Sequence, residues 1–229
     1  MTAFTGIIAA WMVGAYLAGS IPFGWLLGKS FKGVDIRTLG SKNIGATNCG
    51  RVCGWPYGVA AFLLDVAKGL LPQLAAVAYL PGMAAFTDEH QRWLWTILVG
   101  AQCIVGHLFP VWLRFKCGKA VATSLGVLLA LPMLRWAALA AFGVWCVVVA
   151  LTAYVSVGST VAAIAFMVVY LCLQREQFWG DYFAATVLVF HIVGLVILRH
   201  WSNYVRLAKG TENKLWGKKK GAGKPKDNP

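Results

Sequence analysis

Charge is scarce in this sequence. Lys, Arg, Asp and Glu together make up 13% of its 229 residues, about half the share of an ordinary soluble domain. That is too little to clothe a water-exposed surface. Acidic residues are scarcer still, 8 against 21 basic ones. The 6 cysteines form no C-x-x-C pair. Cys49-x-x-x-Cys53 has no matching His or Cys set, so neither a zinc site nor a disulfide framework is expected. A Walker-type GxxxxGK[ST] loop is missing, as is any internal repeat of the kind many transporters carry. The first apolar run follows no positively charged segment and precedes no small-residue cleavage site, which favours a retained span over a signal peptide.

What the chain has instead is long apolar runs. Hydrophobic residues make up 59% and the mean hydropathy is +0.67. At about 20 residues per crossing, seven transmembrane helices are expected, near Phe4–Leu27, Arg51–Leu80, Trp93–Phe109, Val121–Met133, Trp136–Tyr154, Val157–Leu173 and Ala184–Leu198. The class is an all-α integral membrane protein, with residues 1–210 as the membrane domain and 211–229 as a basic tail.

Charge placement orients these spans. With the amino terminus outside, the cytosolic segments hold Lys29, Lys32, Arg37, Lys42 and Arg51, then Arg114, Lys116 and Lys119, then the basic residues from Arg199 to Lys226. The outer loops keep only Arg92, Arg135 and Arg175, a positive-inside pattern that puts the carboxyl terminus in the cytosol. The net charge of +13 therefore needs no nucleic acid to explain it. The tail KLWGKKKGAGKPKDNP suits a solvated segment drawn to anionic lipid headgroups.

Four polar clusters then fall on the cytosolic side. TLGSKNIGATNCGR, Thr38 to Arg51, combines glycines, hydroxyls, amides and cations. Gly40, Ser41, Asn43, Gly45, Thr47 and Asn48 supply backbone access and hydrogen-bonding groups, Lys42 and Arg51 supply charge, and a helix start follows, a set that suits phosphate. The second cluster includes Gly118 and Lys119 just ahead of another helix start, where a bound anion would relieve the clash of a cation with the helix dipole. Ser156 lies in the turn before the sixth span. Arg199, His200 and Asn203 end the seventh, with His200 and Asn203 on one helical face. His107, before Phe109-Pro110, reads as a structural hydrogen-bonding residue. Asp65 and Lys68, three apart within the second span, read as a structural ion pair, although an intramembrane ionisable residue is a functional candidate by default. Because the motifs stop at one face, a conducting transporter is disfavoured.

In this order the clusters resemble the bacterial acyl-phosphate:glycerol-3-phosphate acyltransferases of the PlsY type. The resemblance runs from Gly19-Ser20-Ile21-Pro22 through GSKNIGATN, Asp65-Val66-Ala67-Lys68-Gly69, Gly106-His107-Leu108-Phe109-Pro110 and Tyr154-Val155-Ser156 to RHWSNYVRLAKGTENK. It implies a seven-helix enzyme of the bacterial inner membrane with its active site on the cytosolic face. Its substrates are glycerol 3-phosphate and acyl phosphate, it lies among membrane lipids, and it uses neither a cofactor nor a metal. By the same resemblance Ser41 and Arg51 match the essential serine and arginine of the first motif, Lys119 and Gly118 the phosphate-binding loop, Ser156 the serine of the turn after the fifth span, and His200 and Asn203 the polar pair of the third motif, with Glu212 structural. Ser41, Arg51, Lys119, His200 and Asn203 are thus the expected catalytic residues. None of the 4 histidines opens the H-x-x-x-x-D sequence usual in acyl-CoA-dependent glycerophosphate acyltransferases.

Two departures from the family pattern stand out. Lys42 replaces a glycine in the first loop, and Cys117 and Ala120 replace glycines around Lys119. Non-glycine side chains make a positive φ at these three positions less expected. The residues permit direct acyl transfer: Ser41, loop amides and Lys119 would hold one phosphate and Arg51, His200 and Asn203 the other, in either order. His200 would serve as base or as ligand.

Overall fold

The computed structural model describes residues 2–83, 88–115, 118–177 and 179–216. Cys117 and most of the basic tail lie outside them. Among the described residues every long regular element is an α-helix and none is a strand.

The first expected span is two helices, α1 (Thr2–Ser20) and α2 (Phe23–Lys32), bent by 43°. The break falls at Ile21-Pro22, because proline lacks an N–H and pushes the residue before it out of the helical region. A carbonyl freed there is not wasted: Lys68 Nζ donates to Ile21 O at 2.7 Å. The second expected span is also divided. α3 (Ala46–Cys53) and α4 (Trp55–Tyr79) meet at Gly54, whose φ of 103° few other residues adopt. Arg51 therefore belongs to a short helix beside the first loop rather than to the crossing helix.

α5 (Glu89–Leu108) starts under an Asp88 cap that accepts from the Gln91 N–H at 2.7 Å and stops before Phe109-Pro110. α6 (Val121–Ala130) has only 10 residues, because Leu131-Pro132 ends it and starts α7 (Pro132–Thr152). α8 (Val155–Leu173) follows after one tight turn, and α9 (Phe183–Arg199) bends by 44° into the amphipathic α10 (Trp201–Ala208). By length and composition four helices can cross a membrane, or up to six if each bent pair counts as one. The expected fourth span, Val121–Met133, is too short to cross alone.

The dominant pairs are α4 with α6, α1 with α5 and α7 with α8. Glycine permits the first two contacts, as in other membrane bundles. A Cβ on Gly126 would strike the Val66 carbonyl and one on Gly69 the Thr123 carbonyl, while Gly106 lies against Tyr16 O. Large apolar side chains point outward, Leu151 with 81% of its surface exposed and Leu198 with 71%. Such an exterior suits a bilayer rather than water.

Candidate active site

The first loop is held in shape by one residue of α3. Asn48, 1% exposed, accepts from the Ser41 N–H at 2.7 Å and donates to the carbonyls of Ile36, Leu39 and Asn43 at 2.8, 3.2 and 2.8 Å. Its hydrogen-bonding capacity is spent within the protein. Asn43 Oδ1 likewise accepts from the Gly45 N–H at 2.8 Å. Gly40, at φ 60°, packs against Asn48 Oδ1 and is outside the cavity wall. These bonds correct the expectation of free donors: the amides of Ser41 and Gly45 are already in use, and Asn48 shapes the loop.

A second correction concerns the backbone. Lys42 has φ 59° and Ala120 φ 59°, although neither is glycine. The Lys42 N–H donates to Leu39 O at 3.0 Å, and Asn48 fixes the residues on both sides of it. At Ala120 the backbone turns into α6 and its carbonyl accepts from the Ser124 N–H at 2.7 Å. Surrounding bonds thus impose the left-handed conformation.

From the second cluster, Gly118 sits directly on the His107 carbonyl, leaving no space for a side chain. That contact aims Lys119 at α10, where Lys119 Nζ donates to Asn203 Oδ1 at 2.6 Å. Asn203 Nδ2 donates in turn to Glu212 Oε1 at 2.6 Å, and Ser156 Oγ donates to the same oxygen at 3.2 Å. Arg206 Nε donates to Glu212 Oε2 at 2.7 Å. Glu212 is thus the hub joining the starts of α6 and α8 to α10. The strand of chain carrying it is tied down by Leu215 N–H to Ala153 O at 2.7 Å and by Arg51 to Asn213 O at 3.1 Å. Arg51 Nε is shut off from solvent and has no protein acceptor.

The electrostatics follow from burial. Lys119 is pushed down to about 8, first by burial and then by the nearby Arg206 and Arg51, with Glu212 opposing. Arg51 is also lowered by burial. His200, just past α9, is pushed down to about 4 by burial and by Lys119. Its neutral ring donates from Nδ1 to Val196 O at 2.8 Å, which leaves Nε2 as the acceptor.

A cavity of about 280 Å³ gathers these groups. Ser41, Asn43, Gly45, Thr47, Asn48, Arg51, Lys119, Ser156, His200, Asn203, Glu212 and Asp65 all border it. Gly40, Gly118 and Lys68 do not. Lys68 pairs with Asp65 at 2.7 Å behind the wall. Arg206, not singled out in the sequence, and His107, read there as structural, both belong to the cavity wall. Arg206 follows Asn203 by three positions on the same helical face, a signal that was present. His107 also borders the cavity, with its Nδ1 3.0 Å from Thr123 Oγ1 and 3.8 Å from Asp65. Away from the cations the cavity becomes an apolar arm between α6, α7, α8 and α9.

Comparison with known proteins agrees across the chain. The family model for glycerol-3-phosphate acyltransferase matches residues 9–210. The glycerol-3-phosphate acyltransferase of Trichlorobacter lovleyi is 44% identical over 205 residues, covering 90% of this chain and 96% of its own. That of Acholeplasma laidlawii is 38% identical over 217 residues, covering 90% and 91%. A crystal structure of PlsY (YgiH), an integral membrane glycerol 3-phosphate acyltransferase in its glycerol 3-phosphate form, superposes with a TM-score of 0.78 at 35% identity. It covers 92% of this chain and 96% of that one. Matched in sequence and in fold over nearly its whole length, the chain belongs to the glycerol-3-phosphate acyltransferase family and is an integral membrane acyltransferase.

Proposed function

We propose that the protein transfers a fatty acyl group from acyl phosphate to glycerol 3-phosphate, giving 1-acyl-glycerol 3-phosphate and inorganic phosphate. The observation that carries this reading is the continuity of one cavity, cationic at one end and apolar along the other. An acyl phosphate has that same division, and glycerol 3-phosphate adds a second anion at the cationic end. Arg51, Lys119 and Arg206 outnumber Glu212 there, and the unpartnered Arg51 Nε suits a phosphate oxygen. The amides opening α3 and α6 lie beside them.

The transfer is direct. The hydroxyl oxygen of glycerol 3-phosphate attacks the acyl carbon, the carbon–oxygen bond to phosphate breaks, and phosphate departs with the electron pair. The hydroxyl proton passes to His200 Nε2, which is neutral, or to a substrate phosphate oxygen, the better base beside a ring pushed down to about 4. The cations of the polar end hold the charge growing on the leaving phosphate, so catalysis rests on position and electrostatics. The hydrogen bonds join Lys119 to Asn203, which favours these two acting on one phosphate and Ser41 with Arg51 on the other. The cavity wall supports this route over an acyl-enzyme. None of the described cysteines borders it, and the hydroxyl of Ser156 is turned to Glu212 rather than to a histidine. Thr123 and Asp65 both face the same nitrogen of His107, so they cannot work as a nucleophile and an orienting acid through opposite sides of that ring.

The same reading places the chain in the bacterial inner membrane with seven crossings, the amino terminus outside and the site facing the cytosol. Beyond the four long apolar helices, α1 and α9 supply two crossings and the short α6, packed against α4 and α7, completes the count within the bundle. The positive-inside charge pattern supports it. The deciding experiment offers purified protein glycerol 3-phosphate with acyl phosphate and, separately, with acyl-CoA. Product from acyl phosphate alone is expected; product from acyl-CoA, or from neither donor, overturns the donor assignment.

A further inference from the structure

The apolar arm has a closed end. On α8 the residues bordering the cavity descend one face, from Ser156 through Ser159, Ala162 and Ala163 to Phe166. Ser156 sits in the Glu212 network and Phe166 marks the far limit, ten positions along, or about 15 Å at 1.5 Å per residue. Each neighbouring helix likewise ends its share of the wall at a buried residue. Leu128 on α6, Ala138 on α7 and Ile192 on α9 are their deepest bordering residues, 5%, 1% and 5% exposed, and Phe166 is 2% exposed. Beyond this ring there is packed core. Above it α8 lines the wall with small residues, Ser159, Ala162 and Ala163, so Phe166 is the one aromatic side chain that α8 contributes, while Phe142 and Trp145 of α7 form the side wall nearer the polar end.

We infer that Phe166 is the floor of the acyl-chain pocket and sets the longest chain the enzyme uses well. This rests on the proposed assignment of the arm to the acyl group. The depth fits that role, because a hydrocarbon core of about 30 Å holds two leaflets of chains at about 15 Å each. A chain of ordinary membrane length fills the arm from the phosphate end to the aromatic ring. Each further methylene meets close-packed side chains with no room to yield, whereas each missing one forgoes buried contact. The position of the ring, rather than any group in the polar head of the site, thus decides chain preference.

The test measures kcat/KM for a series of acyl phosphates from dodecanoyl to eicosanoyl, using the purified full-length enzyme and two variants. Phe166→Ala opens the floor and should raise kcat/KM for donors longer than the wild-type optimum. The gain is about fourfold for each methylene newly accommodated, from ~0.8 kcal/mol per buried CH₂. Ala163→Leu raises the floor and should move the optimum to shorter donors. Melting temperature and the KM for glycerol 3-phosphate report whether the fold and the polar head are intact; if Phe166→Ala does not fold, Phe166→Leu and Ala163→Leu decide the matter. An unchanged chain-length profile in folded variants overturns the floor assignment. A wild-type enzyme that ignores acyl phosphate but uses another acyl donor overturns the donor reading alone, and the same chain-length comparison is then made with that donor.

Discussion

Lys119 Nζ donates to Asn203 Oδ1 at 2.6 Å, joining residues 84 positions apart. The amide of Asn203 then passes the contact on to Glu212 through Nδ2, at 2.6 Å. Lys119 is thereby aimed without being neutralised, because an amide rather than a carboxylate stands next to it. A direct Lys–Glu pair would hold the cation too tightly for an incoming phosphate to share.

The Lys119→Ala enzyme should remain folded and lose about a hundredfold or more in kcat/KM, the scale of removing one charge-stabilising donor from a reacting site. Steady-state kinetics at fixed ionic strength, with a thermal melt as the folding control, checks this. An unchanged rate removes Lys119 from the reaction.

Lys119 titrates near 8, so its cation is present below that pH and is lost as pH rises through it. The kcat/KM for glycerol 3-phosphate, which reports the free enzyme, should fall above pH about 8. Arginine stays charged throughout, so in Lys119→Arg the alkaline limb should move up or vanish, whatever the loss in absolute rate. A limb unchanged in Lys119→Arg assigns it to another group.

Replacing His200 by Gln separates the base from a ligand. If Nε2 takes the hydroxyl proton, kcat should fall with the KM for glycerol 3-phosphate nearly unchanged. A raised KM with retained turnover assigns the ring to binding instead.

Asn48 shapes its loop through four hydrogen bonds. Asn48→Ala leaves the buried Ile36 carbonyl unpaired at about 1–3 kcal/mol and frees three part-buried backbone groups at a lower cost. The variant should melt lower by several degrees and show a higher KM for the phosphorylated substrates. A normal melt with a purely catalytic defect would make Asn48 a direct ligand.

Lys42 is exposed and held at φ 59°, a conformation costing a non-glycine residue about 1–2 kcal/mol. Part of that is returned by the greater freedom of glycine in the unfolded chain. Lys42→Gly should therefore raise the melting temperature slightly, by about 1–3 °C, measured in detergent at constant protein concentration.

Much of the architecture was legible because a bilayer imposes length and polarity on whatever crosses it. Apolar runs, the scarcity of charge and the lopsided distribution of Lys and Arg all register that constraint one residue at a time. The breaks were less legible, although their causes are local. Pro22 and Gly54 interrupt apolar stretches whose composition barely changes across the break, so Phe4–Leu27 and Arg51–Leu80 read as continuous. The loop chemistry was legible in kind and misjudged in detail. Asn48 looks like a phosphate donor in sequence because nothing there shows that three distant carbonyls already claim it. Lys42 and Ala120 read as unfit for positive φ because side-chain preference disfavours it, whereas short-range bonds that the residue types do not reveal hold both there.

The sequence by itself determined an all-helical membrane chain and the residue types able to grip phosphate, since both are set by composition and short-range spacing. Only the tertiary structure decided which groups are free and which are spent. It brought Glu212 beneath Asn203, Ser156 and Arg206 and set Phe166 in the wall of the apolar arm. Those relations depend on how separate helices meet in space, and packing between distant segments leaves no periodic mark along a single chain.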